Sequence, residues 1–397
     1  MPLTTRPARF RAGPIVGGFL LAIPFAWTEN GLTAQSRFDL PTRDAVEVPE
    51  ALQAIEFVTS GNATFDLALL ELGQPGGWNG PVAVDTDGGV MWWHETRGDI
   101  HGVALRADGT LVLLDVEDGL VVIRPQGDTV ATLPSTPDRR IHHSVLETSG
   151  GDLLFLARDA QTVGGTEVMG EAIWRWNPQT GSTERMWSSF DHLSWDEDRG
   201  ERSTERNWLH ANSIKEGPRG NLLVSLSFLN QVLSIVPDFS HVEWRVGGPM
   251  ATHPVNGAPF WGQHDATEVD HGRLLLFDNG MRGLGLDVDR AHVSRALEVE
   301  LIEGAASPVW EFTPPDSLRS RIVGSAERLT NGHTVVTFGA SEGLRGSTGG
   351  IAVFEVDRSG RVVWTLRVAG RVRTLYRATA LVAAQQDKEL PGRLNER

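Results

Sequence analysis

Residues 261–280, WGQHDATEVDHGRLLLFDNG, decide the fold. His264 and Asp265 open the stretch, and Asp270, His271 and Gly272 make a turn. Residues 273–277 read as a short strand whose apolar run, 274–277, marks it as buried, and Asp278, Asn279 and Gly280 are a hairpin signal. The unit recurs. His101 leads through Gly109 into TLVLLD, His143 through Gly151 into DLLFLA, and His210 through Gly220 into NLLVSL. Gly324 and Ser325 lead through Gly332 into HTVVTF, and residues 62–72 give a poorer sixth match. A second unit, a turn followed by a strand that often carries Trp, occurs at 84–93, 123–133, 176–187, 236–246, 288–301 and 356–366.

These two units alternate with a repeat of roughly 40 to 65 residues holding about four strands, the signature of a propeller blade. The expected fold is all-β: a six-bladed β-propeller with about four antiparallel strands per blade. No blade buries both faces alone, so the ring must close. Either the segment from Thr374 to Ala380 or the one before Thr64 is expected to complete the first blade.

Around this core the chain divides into an export signal at 1–34, a linker at 35–61 with a helix-like piece at 49–57, the propeller at 62–381 and a tail at 382–397. Arg6, Arg9 and Arg11 precede an apolar run at 12–27 that is interrupted by Pro14 and Pro24, which reads as a signal peptide or a signal-anchor. A periplasmic or extracellular location follows. The 397 residues contain no cysteine, which excludes disulfides and thiol chemistry, and the net charge of −15 leaves no footprint for nucleic acid. Between Trp187 and Trp208 an insertion breaks the period. Its charge run at 196–202 reads as a solvated loop, with a lid over the channel as the alternative.

The first strand of each blade borders the central channel. His101, His143 and His264 each lie eight residues before their turn glycine, and His210 lies ten before its own, with a longer Gly217-Pro218 turn. Equal offset means equal height, so four of the 12 histidines should form one ring. His142 should point to the opposite face by the period of two, and the other seven histidines read as surface or turn residues. Such a ring supports two chemistries. One imidazole attacks an anionic substrate while others donate hydrogen bonds and move protons, or His101, His143, His210 and His264 hold a metal such as Zn, Cu or Fe. A non-catalytic propeller whose histidines hold a small anion is the third reading.

The motifs NWLHANS at 207–213, QHDA at 263–266 with FDNG at 277–280, SRALEVE at 294–300 with VWEF at 309–312, and GSAERLTNG at 324–332 resemble the bacterial arylsulfate sulfotransferase family, as does the late Tyr376-Arg377 pair. The resemblance runs in order from Gly76 to Arg377 and implies a six-bladed propeller. It further implies sulfuryl transfer from an aryl sulfate donor to a phenolic acceptor through a sulfo-histidine, with no cofactor. His264 would be the nucleophile, and His210 and His143 would bind sulfuryl oxygens and handle the phenolic proton. His101, Asp265 and Arg282 complete the implied substrate-binding set. The sequence departs from the family where its catalytic arginine is due, at Ser227 or Phe228. Losing one oxyanion donor costs on the order of 3 kcal/mol in comparable sites, and Arg282 or Arg345 would have to replace it from another blade. The disulfide and N-terminal β-domain of other members are also missing.

Overall fold

The computed structural model describes residues 36–38 and 47–383, apart from 258, 282–292 and 316–317. The expected signal at 1–34, residues 384–397 of the expected tail, Arg282 and His292 therefore lie outside the described residues, whereas 382 and 383 belong to the last strand. Six sheets surround a channel, all antiparallel except where the short strand Ser36–Phe38 pairs in parallel with the end of the closing strand at Leu381 to Ala383. Four blades are continuous in sequence. Their innermost strands are Ile100–Leu105 in blade 2, Ile141–Glu147 in blade 3, Ala211–Glu216 in blade 4 and His264–Asp270 in blade 5, each followed outward by three more.

Blades 1 and 6 interlock the two ends of the propeller. Thr374–Ala383 supplies the innermost strand of blade 1, pairing with Leu67–Gly73, so the late segment completes the first blade. Residues 62–72 therefore furnish that blade's second strand rather than its first. The early segment goes elsewhere. Ile55–Gly61 pairs with Val362–Gly370 as the outermost strand of blade 6, whose innermost strand is Ser325–Arg328. Part of the expected linker is thus sheet, and the helix-like piece shrinks to Glu50–Gln53. The residues IEFVTSG alternate at the sheet edge, burying Ile55 and half-burying Phe57 while Glu56 and Val58 face outward, a strand period that outweighs the short helix before it.

Six hydrophobic clusters, one between each pair of adjacent blades, hold the ring. The period of two sorts each inner strand between two of them. Ala68, Leu70 and Leu72 face blade 6, whereas Leu67 and Leu69 face blade 2. Likewise Leu274 and Leu276 pack toward blade 4, and Leu275 and Phe277 toward blade 6. These strands are apolar on both faces because both faces are interfaces, which is why they read as unbroken apolar runs.

The innermost strands share one irregularity. In five of the six blades the register with the second strand shifts at the level of the histidines, between Ile100 and Gly102, His142 and Val145, Ala211 and Ser213, His264 and Thr267, and Leu375 and Ala378. Such β-bulges re-aim side chains. His143 at φ 59° and Asp265 at φ 53° adopt the left-handed backbone that non-glycine residues avoid, each at a cost of roughly 1–2 kcal/mol.

Leu375 of the closing strand is fully buried between blades 1 and 6. Leu375→Ala should lower the unfolding free energy by about 2–5 kcal/mol in urea titration. Val58→Ala, on the exposed face of the outermost strand, should change it by less than about 0.5 kcal/mol.

Candidate functional site

The channel end at which the innermost strands begin is lined by imidazoles. His101 and His143 have ring centroids 5.2 Å apart, and His143 and His210 4.9 Å. Tyr376, the chain's single tyrosine, stands among them, stacked 5.2 Å from His101 and edge-on to His143 at 6.1 Å and to His264 at 6.4 Å. Blade 6 adds no side chain at this height. A Cβ on Gly324, at φ 107°, would lie 2.6 Å from Phe277 and 2.7 Å from the Thr337 carbonyl oxygen. The four sequence-matched histidines are thus brought together, with Tyr376 in the place left by blade 1.

Burial decides their charge. His264 and His101 are held down to about 4 by desolvation, and His143 and His210 are held further below the ordinary histidine value, so all four are neutral at neutral pH. Neighbouring hydrogen bonds then decide which ring nitrogen carries the proton. Asn279 donates Nδ2 to the carbonyls of Ser320 at 2.7 Å and Val323 at 2.8 Å, so its Oδ1 faces His264 Nδ1 at 2.7 Å. The Gly262 carbonyl also lies 3.2 Å from this nitrogen. Both partners only accept, so Nδ1 holds the proton and Nε2 keeps its lone pair.

His210 is set the other way. Asn207 Oδ1 accepts from Arg158 Nη1 at 3.0 Å, which turns its Nδ2 toward His210 Nδ1 at 2.9 Å. His210 Nδ1 accepts, and Nε2 is left as an N–H donor. Its ring also stacks on Phe228, 4.6 Å away and 9° from parallel.

His142 does not point away from the site. The bulge turns it so that Nδ1 lies 2.8 Å from His143 Nδ1 and Nε2 lies 2.8 Å from Glu171 Oε2. The period-of-two expectation fails here because the extra residue breaks the alternation.

The insertion supplies a residue that the sequence reading placed in solvent. Asp198 and Arg202 are buried, in contrast to the exposed Asp196, Glu197, Arg199 and Glu201 around them. Asp198 accepts from Arg245 at 2.7 Å and its carbonyl from Trp208 Nε1 at 2.6 Å, which pins the loop down. The Arg202 guanidinium lies 4.4 Å from the Phe228 ring centre, and its Nη2 is 3.4 Å from Ser227 Oγ, so it covers the two positions at which the family arginine is missing. A Cβ on Gly262 would sit 2.6 Å from Arg202 Nη1, so this glycine leaves the space that the guanidinium fills. Nη1 is buried with no hydrogen-bond partner, and among the described residues no carboxylate pairs with Arg202. Burial, and then the nearby Arg345, pull its pKa down to about 10, so it remains a cation. A buried cation without a counter-ion calls for an anionic ligand. Arg345, exposed on a turn of blade 6, borders the same region.

Asp265 serves the opposite end of the channel. Its Oδ1 lies 3.0 Å from Arg377 Nη2 and 3.2 Å from Lys215 Nζ, and Arg377 Nη1 lies 3.8 Å from Glu71. Asp265, Lys215 and Arg377 border a cavity of about 400 Å³ lined also by Glu268, Glu327 and Arg328. Burial pushes Glu71 and Glu327 up to about 7. Asp265 is therefore set apart from the imidazoles, although it follows His264 directly. Among the described residues no three His, Asp or Glu side chains are grouped to hold a metal ion.

The family described as Arylsulfotransferase (ASST) matches residues 75–377. The chain belongs to the arylsulfotransferase family. Membership supports sulfuryl transfer as the function, with aryl sulfates and phenols as its substrate class. No curated protein matches the chain. Among solved structures, a protein of unknown function from Bacteroides caccae is 16% identical, with a TM-score of 0.53, over 79% of this chain and 98% of that one. A catalytically inactive virginiamycin B lyase from Staphylococcus aureus, solved with quinupristin, is 11% identical, with a TM-score of 0.40, over 79% and 99%. At 16% identity the likeness to the first of these is one of fold alone. No helix among the described residues is long and apolar enough to cross a membrane.

The neutral imidazoles give stability a defined pH dependence. His264 takes up its proton near pH 6.5 when unfolded but only near 4 when folded, so between these values the unfolded state binds more protons. Stability should be full above pH 6.5 and fall as the pH drops toward 4, by up to about 1.4 kcal/mol per pH unit for this group. Urea titrations across that range should show a shallower slope for His264→Gln.

Proposed function

We propose that the protein transfers a sulfuryl group from an aryl sulfate to a phenol, with His264 Nε2 as the nucleophile. The observation that carries this reading is the fixed tautomer of His264. Asn279 and Gly262 hold the proton on Nδ1, so the lone pair of Nε2 is permanently available in a buried site. In the first half-reaction Nε2 attacks sulfur, an N–S bond forms, the aryl S–O bond breaks and the aryloxide departs. In the second, a phenol oxygen attacks the same sulfur, the N–S bond breaks and His143 Nε2 takes the phenolic proton.

The surroundings support these assignments. His210 Nε2–H and the Arg202 guanidinium supply donors to sulfuryl oxygens, whose negative charge matches a buried cation that has no carboxylate partner among the described residues. Tyr376, stacked on His101, adds an aromatic wall against which the ring of a donor or acceptor can pack. His101 closes the ring beside Tyr376 and suits a binding role, since its Nδ1 is buried without a partner.

Incubation with 4-nitrophenyl sulfate should release nitrophenolate and add the mass of one sulfuryl group to the peptide containing His264. A second phenol should discharge it. His264→Ala should abolish both signals, and their persistence would exclude His264 as nucleophile. Arg202→Met should lower kcat/KM by about 10²–10³-fold, whereas Arg199→Met on the exposed side of the same loop should leave it unchanged.

A further inference from the structure

His142 and Glu171 have no contact with the channel contents, yet both are buried and both are tied to His143. Glu171 lies on Thr166–Trp176, the third strand of blade 3. Its Oε1 accepts from Arg158 Nη1 at 2.5 Å and from the Ala211 backbone N–H at 3.0 Å. Burial alone would raise its pKa, but Arg158 and His142 outweigh it and hold the carboxyl below its ordinary value. Glu171 is therefore an ionised acceptor, and His142 Nε2 must donate to it. His142 is itself neutral, held down by burial against the pull of Glu171. Its Nδ1 is then a lone pair and receives the proton on His143 Nδ1, 2.8 Å away. His143 is left with an unprotonated Nε2, which has no protein partner among the described residues.

We propose that His142 and Glu171 form a proton relay behind His143. When His143 Nε2 takes the proton from the acceptor phenol, its Nδ1 proton passes to His142 Nδ1, and the positive charge comes to rest on His142 against the Glu171 carboxylate. One O–H bond breaks, the Nε2–H bond of His143 forms, and one N–H bond is exchanged for another between the two imidazoles. No further reactant is needed. The substrate in this statement rests on the sulfuryl-transfer reading, whereas the tautomers do not.

The need for the relay lies in what faces His143. His101 from blade 2, His210 from blade 4 and Tyr376 from the closing strand are neutral, and Arg158 is cationic; Arg158 and Arg140 also bear on His142, but there Glu171 opposes them. An imidazolium held at His143 meets no carboxylate among the described residues. One ring further out, 4.9 Å between centroids, it meets Glu171 directly. His142 and Glu171 are thus positioning residues, and His143 is the group that touches substrate.

Glu171→Gln is a nearly isosteric test. Arg158 and the Ala211 N–H both donate, so the amide oxygen must face them and the amide nitrogen must face His142 Nε2. This reverses the direction of every bond in the chain. His142 Nε2 becomes an acceptor, its Nδ1 donates to His143 Nδ1, and His143 Nε2 acquires the proton. In ¹⁵N-histidine NMR at neutral pH the wild-type protein should show His143 protonated at Nδ1, and the variant should show it protonated at Nε2. An unchanged His143 tautomer in the variant would overturn the relay, whatever the reaction.

Kinetics separate it from a structural role. In Glu171→Gln the burst of nitrophenolate, a leaving group that needs no proton, should persist at the wild-type rate. Discharge to a weakly acidic phenol should slow by about 10²-fold or more and recover as the pH approaches that phenol's own pKa. Equal slowing of both half-reactions would refute the relay. Should this variant not fold, His142→Asn must show the same split between half-reactions or the proposal fails. A wild-type protein that forms no sulfuryl-enzyme would sink the function assigned above while leaving the NMR result to decide the relay.

Discussion

Everything in this protein depends on the pairing of Thr374–Ala383 with Leu67–Gly73. A propeller blade has two apolar faces and buries both only when it has a neighbour on each side. Without this pairing the cluster between blades 1 and 6 loses Leu375, Ala378 and Ala380. The same strand carries Tyr376 into the imidazole ring and Arg377 to Asp265, so one hydrogen-bonded ladder closes the fold and completes both ends of the channel. The outer strand at Ile55–Gly61 adds a second lock at the neighbouring blade.

Within the site, a single guanidinium sets two proton positions. Arg158 bonds Glu171 on one side and Asn207 on the other. Through Asn207 it leaves His210 as a donor toward the channel, and through Glu171 and His142 it leaves His143 as an acceptor. Four chemically identical rings thereby acquire different functions without any of them carrying a net charge. The backbone contributes as well, since the bulges in the innermost strands and the left-handed φ at His143 and Asp265 send consecutive side chains to separate destinations.

The ring of histidines was legible because propeller blades repeat in sequence as they do in space. His101, His143 and His264 share an offset from a turn glycine, and a shared offset is a shared height. What escaped the sequence depends on local departures from that regularity or on contacts far along the chain. His142 follows no alternation once a bulge intervenes. Arg202 sits in a run that averages to a solvated loop, and only its packing on Phe228, 26 positions later, shows that it is buried. Asp265 adjoins His264 in sequence, yet its partners are Arg377 and Lys215. The strand at 55–61 looked like linker because its pairing partner lies some three hundred residues away. Periodicity shows which residues are equivalent, whereas charge pairing and loop burial depend on distant partners that no local window contains.

The placement of Tyr376 on the last strand of the ring also has a temporal meaning. Blades 2 to 5 can each form their own sheets as they leave the ribosome, and His101, His143, His210 and His264 are all in place once blade 5 exists. The pocket they border is still open on one side, because the strand that walls it is made after every other part of the propeller. Synthesis thus orders the events so that the reactive imidazoles are enclosed last, and a partly made chain has the nucleophile without the enclosure in which it can work.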